Sequence, residues 1–258
     1  MRMLTFAKRC AKEILRDPLN LAFGLGFPLV LLALLSCLQA NIPVSLFAIV
    51  SLTPGITVFG MSFMTLFSAT LVAKDRESAL LQRLYTTPLT GFDFILGYML
   101  PILPIAIGQA LICYLFAIPL GLTVSVRIVY AVIGIVPVAV LHVALGLLCG
   151  SVLGVKQVGG ICGALLTNLS AWLSGVWFDL SLAGGTFEKV ANLLPFVHGA
   201  EMEKALFSGN FQAAAAHFLP VALYGAVIMV AASFCFLGQM KRQILPGMIL
   251  TGGRFYVY

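Results

Sequence analysis

The chain has 258 residues, of which 61% are hydrophobic and 9% are charged. Soluble globular domains are about half apolar and about a quarter charged, so this composition excludes that class. The net charge of +6 comes from basic residues in short clusters beside apolar runs, where lipid and membrane topology account for them. We therefore expect a protein whose partners include the lipid bilayer and exclude nucleic acid.

An amphipathic segment opens the chain, over residues 1–17. Apolar residues recur there at helical spacing, and basic residues occupy the opposite face: Leu4, Ala7, Ala11, Ile14 and Leu15 against Lys8, Arg9, Lys12 and Arg16. A helix with this pattern lies in the plane of a membrane interface. Pro18 then suits the first turn of the next helix. We predict an N-terminal interfacial helix that turns into the membrane.

Apolar runs long enough to cross a bilayer as helices, about 20 residues each, follow along the chain. We predict six transmembrane helices at 19–38, 52–73, 94–118, 128–153, 159–178 and 220–237. The fold class is therefore an all-α integral membrane protein, with 1–258 as a single transmembrane domain. With both termini on one side, twelve of the 15 Lys and Arg residues fall on that side. The positive-inside rule then places both termini in the cytoplasm.

The loop between spans two and three, 74–91, begins with Lys74-Asp75-Arg76-Glu77. Leu80, Leu81 and Leu84 then share one helical face, and Pro88 and Gly91 close the loop. This pattern predicts a short amphipathic helix at the cytoplasmic surface. The helix is either a solvated connector or a docking element for a cytoplasmic partner.

Two later segments also depart from plain spans. Residues 179–218 are too polar to cross a membrane, and we predict short outer-leaflet helices there, in a re-entrant segment shielded by protein. Residues 238–258 are predicted as a cytoplasmic tail. In the fourth span, glycines recur at Gly146, Gly150 and Gly154, and we favour helix packing within the chain over a dimer contact there.

The sequence lacks the motifs of several catalysts. Residues 150–157 come closest to a phosphate-binding loop but do not end in the Gly-Lys-Ser/Thr that holds phosphate and magnesium. The histidines His142, His198 and His217 are far apart along the sequence and none sits in a spaced His/Glu motif, so we expect no metal site and no cofactor in this chain. We therefore expect a protein that is not itself an enzyme.

Two other classes of membrane protein fit less well. An intramembrane serine protease with Ser174 as nucleophile would have a glycine where Trp172 stands. An ion-coupled secondary transporter usually has charged groups deep in its spans, and none is predicted here. Polar and aromatic side chains of spans two and five are instead candidates to line a pathway for an amphiphilic substrate, with interhelical hydrogen bonding as the commoner alternative role. These candidates are Phe59, Phe63, Thr65, Phe67, Asn168 and Trp172.

Two stretches resemble the ABC-2 type permease family, the membrane subunits of ATP-binding cassette exporters. The first runs from Pro54-Gly55 into Lys74-Asp75-Arg76-Glu77, then through Leu84-Tyr85-Thr86-Thr87-Pro88-Leu89 to Asp93-Phe94-Ile95-Leu96-Gly97-Tyr98. The second is Leu173-Ser174-Gly175 followed by Leu193-Leu194-Pro195-Phe196. With the six-span layout, the likeness covers nearly the whole chain.

The resemblance implies a permease driven by two copies of a separate ATPase, which would hold ATP and Mg, and paired with a second permease subunit as a homodimer or a heterodimer. The residues implied to couple to the ATPase are Asp75, Arg76, Glu77, Leu80, Leu81 and Leu84. The turn at 155–157 would be a second contact with the ATPase, and spans two and five would line the pathway. The implied setting is the cytoplasmic membrane of a bacterium. We expect export of a small hydrophobic or peptide-like compound, with a lipid-linked polysaccharide or other polymer as the alternative.

Overall fold

A computed structural model describes residues 2–43, 47–78, 81, 89–178 and 180–251. Within these residues, every regular element is a helix. In chain order the helices are α1 (Arg2–Leu15), α2 (Pro18–Gln39), α3 (Ile49–Gly60), α4 (Ser62–Glu77), α5 (Gly91–Met99), α6 (Ile102–Ala117), α7 (Arg127–Val152), α8 (Val155–Val158), a π-helical segment (Gly159–Leu166), α9 (Thr167–Leu173), α10 (Leu180–Ala183), α11 (Gly185–Leu193), α12 (Pro195–Ser208) and α13 (Phe211–Thr251).

Five helical stretches among the described residues are long and apolar enough to cross a membrane. They are Pro18–Gln39, Ile49–Glu77, Gly91–Ala117, Arg127–Val152 and Phe211–Gln239. Each overlaps one of the predicted spans 19–38, 52–73, 94–118, 128–153 and 220–237. The chain is therefore a multi-pass membrane protein.

The remaining predicted span, 159–178, corresponds to a helical run that is not among those five. The run consists of α8, the π-helical segment and α9, and it ends at Leu173. Gly175 then adopts a φ of 66°, a left-handed conformation that stops a helix, so the predicted extension to residue 178 is wrong. Within the run, the Thr167 hydroxyl donates to the Cys162 carbonyl at 3.0 Å, five residues back, as the wider π-helical turn permits.

The region after residue 178 contains more helix than the sequence predicted. The segment predicted at 179–218 holds α10, α11 and α12, and its last residues already belong to α13. Helix α13 continues to Thr251, so the part of the tail predicted from 238 is helical up to there. Residues 252–258 of that tail lie outside the described residues.

The junction between α1 and α2 forms as the sequence predicted. Pro18 lies in the first turn of α2, and the Asp17 side chain caps that helix by accepting a hydrogen bond from the Asn20 amide at 3.3 Å. Leu4 and Leu15 of the predicted apolar face are 53% and 65% exposed, as expected for side chains of an interfacial helix that face lipid.

The buried face of α1 is formed by Phe6, Cys10 and Ile14. The Phe6 ring lies 5.3 Å from the Phe94 ring and 5.0 Å from the Tyr98 ring, both in edge-to-face contact. Helix α1 is therefore held against α5 by aromatic packing; Ala7 is also buried, whereas Leu4 and Leu15 face outward.

The core is built around the crossing of α4 and α7. The Thr65 hydroxyl donates to the His142 carbonyl at 2.9 Å, across the two helices. A Cβ atom added at Gly146 would lie 2.3 Å from the Thr65 carbonyl oxygen, and one at Gly150 would lie 2.6 Å from the Ala69 carbonyl oxygen. The glycine spacing of the fourth span therefore serves packing within the chain, as predicted.

We predict that Gly150→Ala lowers the free energy of unfolding by about 1–3 kcal/mol, because the added methyl group meets the backbone of α4. The matched control is Gly108→Ala in α6, where an added Cβ has no heavy atom within 4 Å and gains helix propensity. The unfolding of the two purified variants in detergent measures the difference. Equal stability of the two variants would contradict the packing described here.

Candidate functional site

The last four residues of α4, Lys74 to Glu77, are all charged, and each makes a contact far away in the sequence. They lie at the end of the helical bundle where α1, α5 and the turn after α7 meet. Lys74 and Arg76 also suit the last turn of α4, since cations are favourable near the carboxyl end of a helix dipole. We call residues 74–77 the charged hub.

Asp75 is the buried member of the charged hub, with 1% of its surface exposed. Both terminal nitrogens of the Arg9 guanidinium donate hydrogen bonds to the Asp75 carboxylate, and the Nη2 to Oδ1 distance is 2.5 Å. The Tyr98 hydroxyl donates to Oδ2 at 2.9 Å. Because a buried carboxylate costs several kcal/mol unless it is paired and hydrogen-bonded, these partners are needed for burial. One carboxylate thus joins α1, α4 and α5.

The Arg9 side chain remains charged in this site. Partial burial opposes the charge, but the hydrogen bonds and the negative charge of Asp75 outweigh it, so the pKa of Arg9 is raised. Arg9 also forms an ion pair with Glu13, one turn along α1. Next to this cluster, the Lys74 ammonium lies 3.4 Å from the Asp17 carboxylate, so the capped junction of α1 and α2 contacts the charged hub too.

Arg76 and Glu77 contact both sides of the turn between α7 and α8. The Arg76 guanidinium donates to the Ser151 carbonyl and, at 2.8 Å, to the Leu153 carbonyl, which satisfies free acceptors at the end of α7. The Glu77 carboxylate accepts from the Val155 amide at 2.8 Å, at the start of the next helical run. A cation thus faces a helix carboxyl end, and an anion faces a helix amino end.

The charged hub suits mechanical linkage more than catalysis. Its side chains are engaged with backbone groups and with side chains of other helices, and it lacks a serine or cysteine nucleophile paired with a base. In the part of the chain that the structure describes, no three His, Cys, Asp or Glu side chains are grouped to hold a metal ion. A displacement of the segment after Glu77 would instead be transmitted to α1, α5, α7 and α8 together.

The structure places some of the residues predicted to couple to an ATPase and leaves others out. Asp75, Arg76 and Glu77 are engaged with the chain's own helices, and Leu81 is buried. Leu80 and Leu84 lie outside the described residues. The sequence did not identify the contacts between the charged residues and the rest of the chain, and their contact with an ATPase stays a prediction.

The residues predicted to line a pathway fall into two groups. Phe59, Phe63 and Phe67 are buried, and Phe59 lies 6.1 Å from Phe63 and 5.9 Å from Trp177, measured between ring centroids. Thr65, also buried, holds α4 to α7 through the hydrogen bond described above. These four residues are core residues in this conformation.

Asn168 and Trp172 form the second group, on the exposed face of α9. Trp172 is 55% exposed, and its ring lies 5.9 Å from that of Phe178. The Asn168 side-chain amide donates to the Ala164 carbonyl at 2.8 Å, one turn earlier. The structure does not place this group in the aromatic cluster around Phe59.

Sequence reasoning missed three residues with clear structural roles: Arg9, Tyr98 and Glu203. Arg9 was assigned to the solvent-facing side of α1, although it follows Phe6 by three residues and precedes Cys10, both of which are buried. That spacing was the available signal for its inward position. Glu203 lies in the segment 179–218, where no buried acid was predicted.

Comparison with known proteins identifies one family. The model of the family described as ABC-2 type transporter matches residues 1–208. No curated protein matches the chain.

We predict non-additive effects of Arg9→Met and Asp75→Asn on the free energy of unfolding. Arg9→Met alone leaves a buried carboxylate without its cation, so it should cost more than Asp75→Asn, which removes the charge and retains an acceptor for Tyr98. The double variant should be more stable than the sum of the single effects implies, by about 1–3 kcal/mol.

Denaturation of the four proteins in detergent gives this coupling energy. Lys12→Met, at an exposed basic residue of the same helix, should change the free energy of unfolding by no more than about 0.5 kcal/mol. Strict additivity would show that the Arg9–Asp75 pair does not hold α1 in place.

Proposed function

Because the chain belongs to the ABC-2 type transporter family, we propose that it is the permease subunit of an ATP-driven exporter. The proposed cargo is a small hydrophobic or peptide-like compound, which leaves across the cytoplasmic membrane of a bacterium. Two copies of a separate ATPase subunit, which hold ATP and Mg, would supply the energy. A second permease subunit, identical or similar, would complete the pathway.

The observation that carries this proposal is the hydrogen bond between Glu77 and the Val155 amide, at 2.8 Å. It joins the two segments expected to face the ATPase, 74–91 and 155–157. The hydrogen bond connects two helix ends directly, since Glu77 ends α4 and Val155 begins α8. A push by the ATPase on either segment would therefore move both.

Further contacts of the charged hub would transmit that movement to other helices. Arg76 connects it to the carboxyl end of α7, and Asp75 connects it to α1 through Arg9. In the proposed cycle, ATP binding brings the ATPase subunits together, the charged hub carries the movement into these helices, and the substrate cavity changes the side it faces. ATP or substrate can shift the balance between the inward-facing and outward-facing states only by binding one of them more tightly than the other.

The helical run over 155–173 is proposed as the sixth span. It has 19 residues, close to the roughly 20 that a helix needs to cross the hydrocarbon of a bilayer. An even number of spans returns both termini to one side. The basic residues of 1–17 and of the charged hub favour the cytoplasm for that side.

The pathway is proposed to form between two permease subunits, next to the exposed face of α9. Asn168 and Trp172 on that face combine polar and aromatic groups, which suits an amphiphilic compound. The buried aromatic residues Phe59 and Phe63 would become accessible only in another state of the cycle. A polymer exporter would use the same mechanical connections, so substrate transport decides between the two cargo classes.

One observation favours a second candidate, an ion-coupled transporter: Glu203 is fully buried, as coupling carboxyl groups usually are. The energy source separates the candidates. Transport into vesicles that continues with ATP after the proton and sodium gradients are dissipated supports the exporter, and transport that stops under that treatment supports ion coupling.

We expect the tagged chain, extracted from its native membrane in mild detergent, to co-purify with a soluble ATPase that carries a phosphate-binding loop. Mass spectrometry identifies the partner, and an ATPase assay on the complex tests its activity. A chain that purifies alone and without ATPase activity would contradict the exporter proposal.

We predict that Arg76→Glu combined with Glu77→Arg abolishes substrate-stimulated ATPase activity, because the exchange reverses both charge–helix contacts without changing the net charge. The loss of these contacts should lower the free energy of unfolding by only about 1–2 kcal/mol, so the complex still assembles. ATPase activity of the reconstituted complex, with and without substrate, measures the effect.

The control exchanges a partly exposed ion pair on α12, Glu201→Lys with Lys204→Glu; in the unaltered chain the Lys204 Nζ and Glu201 Oε1 atoms lie 2.8 Å apart. Stimulation should survive that exchange. Full substrate stimulation of the ATPase activity in the variant with Arg76→Glu and Glu77→Arg would show that these two residues do not take part in coupling.

A further inference from the structure

Glu203, on α12, is an acidic residue with 0% of its surface exposed. One oxygen, Oε1, accepts a hydrogen bond from the Tyr114 hydroxyl of α6 at 3.0 Å. The other oxygen, Oε2, is buried and has no hydrogen-bond partner among the described residues. The neutral side chain has one satisfied oxygen, but a carboxylate would be a buried charge without a cation.

The wall that faces Oε2 is the backbone of α7. A Cβ atom added at Gly134 would lie 3.5 Å from Oε2 and 2.1 Å from Cδ1 of Leu206. On the other side, the Tyr114 ring stacks on Phe207 with 5.6 Å between ring centroids. Helix α12 is therefore seated closely against α6 and α7, and Glu203 lies between them.

Among the described residues, no titratable group other than Tyr114 forms a hydrogen bond or an ion pair with Glu203. On α12 itself, Lys204 pairs with Glu201 at 2.8 Å, and His198 lies 3.0 Å from His217 of α13. The groups on neighbouring helices are Cys113 on α6, Arg127 beside Gly209, Tyr130 against Phe211, His142 bonded to the Val138 carbonyl, Cys149 on α7, Tyr224 bonded to the Leu193 carbonyl, Cys235, Lys241 and Arg242 on α13, and Glu188 and Lys189 on α11.

Helices α3 and α9 carry no titratable side chain. Among the described residues, Tyr114 is thus the titratable group in hydrogen-bond contact with Glu203. Burial raises the pKa of Glu203 well above its ordinary value of 4.5, and the hydrogen bond from Tyr114 offsets only part of that effect.

We propose that Glu203 is a proton-binding site that controls the seating of α12. The carboxyl group holds its proton while α12 is packed against α6 and α7. When α12 moves away, the O–H bond breaks, the electron pair stays on the carboxylate, and the proton passes to water. This proton site does not rest on the proposed exporter function.

The direction of the pH effect follows from the number of protons that Glu203 binds in the seated state and in the open state of α12. The seated state binds one more proton than the open state between the ordinary pKa of a glutamate and the raised pKa of Glu203. The seated state is therefore fully favoured below the ordinary value, and it loses stability as the pH rises towards the raised value. Low pH keeps α12 seated, and high pH favours its release.

The first test uses infrared spectroscopy on the full chain in lipid vesicles at neutral pH. The spectrum should contain the C=O stretch of a buried, protonated carboxylic acid, and Glu203→Gln should remove it. Glu201→Gln, two residues away on the partly exposed face, should leave the band unchanged. A band that persists in Glu203→Gln, or that is missing from the unaltered chain, would overturn the proton site.

The second test follows the seating of α12 by the rate at which the thiol of Leu206→Cys reacts with a membrane-impermeant reagent. The background carries Cys37→Ala, because Cys37 is an exposed native thiol. The labelling rate relative to that of the same protein with Glu203→Gln should rise with pH, by up to about tenfold per pH unit for one linked proton. This ratio cancels the titration of the thiol itself.

A ratio of labelling rates that stays constant with pH would show that the proton on Glu203 does not control the seating of α12. Neither test includes an ATPase or a substrate. Failure of the proposed exporter function would therefore leave both results unchanged and can be told apart from failure of the proton site.

Discussion

The arrangement of the charged end of the bundle depends on one constraint: the Asp75 carboxylate is buried and must be neutralised there. Arg9 from α1 supplies the cation, and Tyr98 from α5 supplies a further hydrogen bond. A buried carboxylate without these partners would destabilise the fold by several kcal/mol. The interfacial helix α1 is therefore fixed to the bundle by charge as well as by the packing of Phe6.

The neighbouring residues extend this junction to the other half of the chain. Arg76 binds the carbonyl groups at the end of α7, and Glu77 binds the amide at the start of α8. Glu203 of α12 lies apart from this junction, against α6 and α7, and one of its carboxyl oxygens has no hydrogen-bond partner among the described residues. Asp75, paired with Arg9, holds helices together. The proposed role of Glu203 is instead to change charge when helices separate.

The sequence predicted the membrane class, five of the helical spans and the glycine packing, because each leaves a local pattern of composition or spacing. It also predicted the family, from the order of motifs around residues 74–98. It did not predict that Arg9 reaches Asp75, since the two are 66 residues apart and amphipathic spacing assigns Arg9 to solvent. It also missed the end of helix α9 at Leu173, which is followed by the positive φ of Gly175, and the burial of Glu203, which requires knowing where α12 packs.

In the proposed cycle, residues 74–77 and the start of α8 move as one unit when the ATPase acts. Spin labels at the exposed residues Ser78 and Lys156 of the assembled complex test this, with distances measured before and after addition of a non-hydrolysable ATP analogue. The distance between Ser78 and Lys156 within one permease should stay unchanged, and the distance from each to its counterpart in the second permease should change. A change in the distance within one permease would contradict the proposed movement.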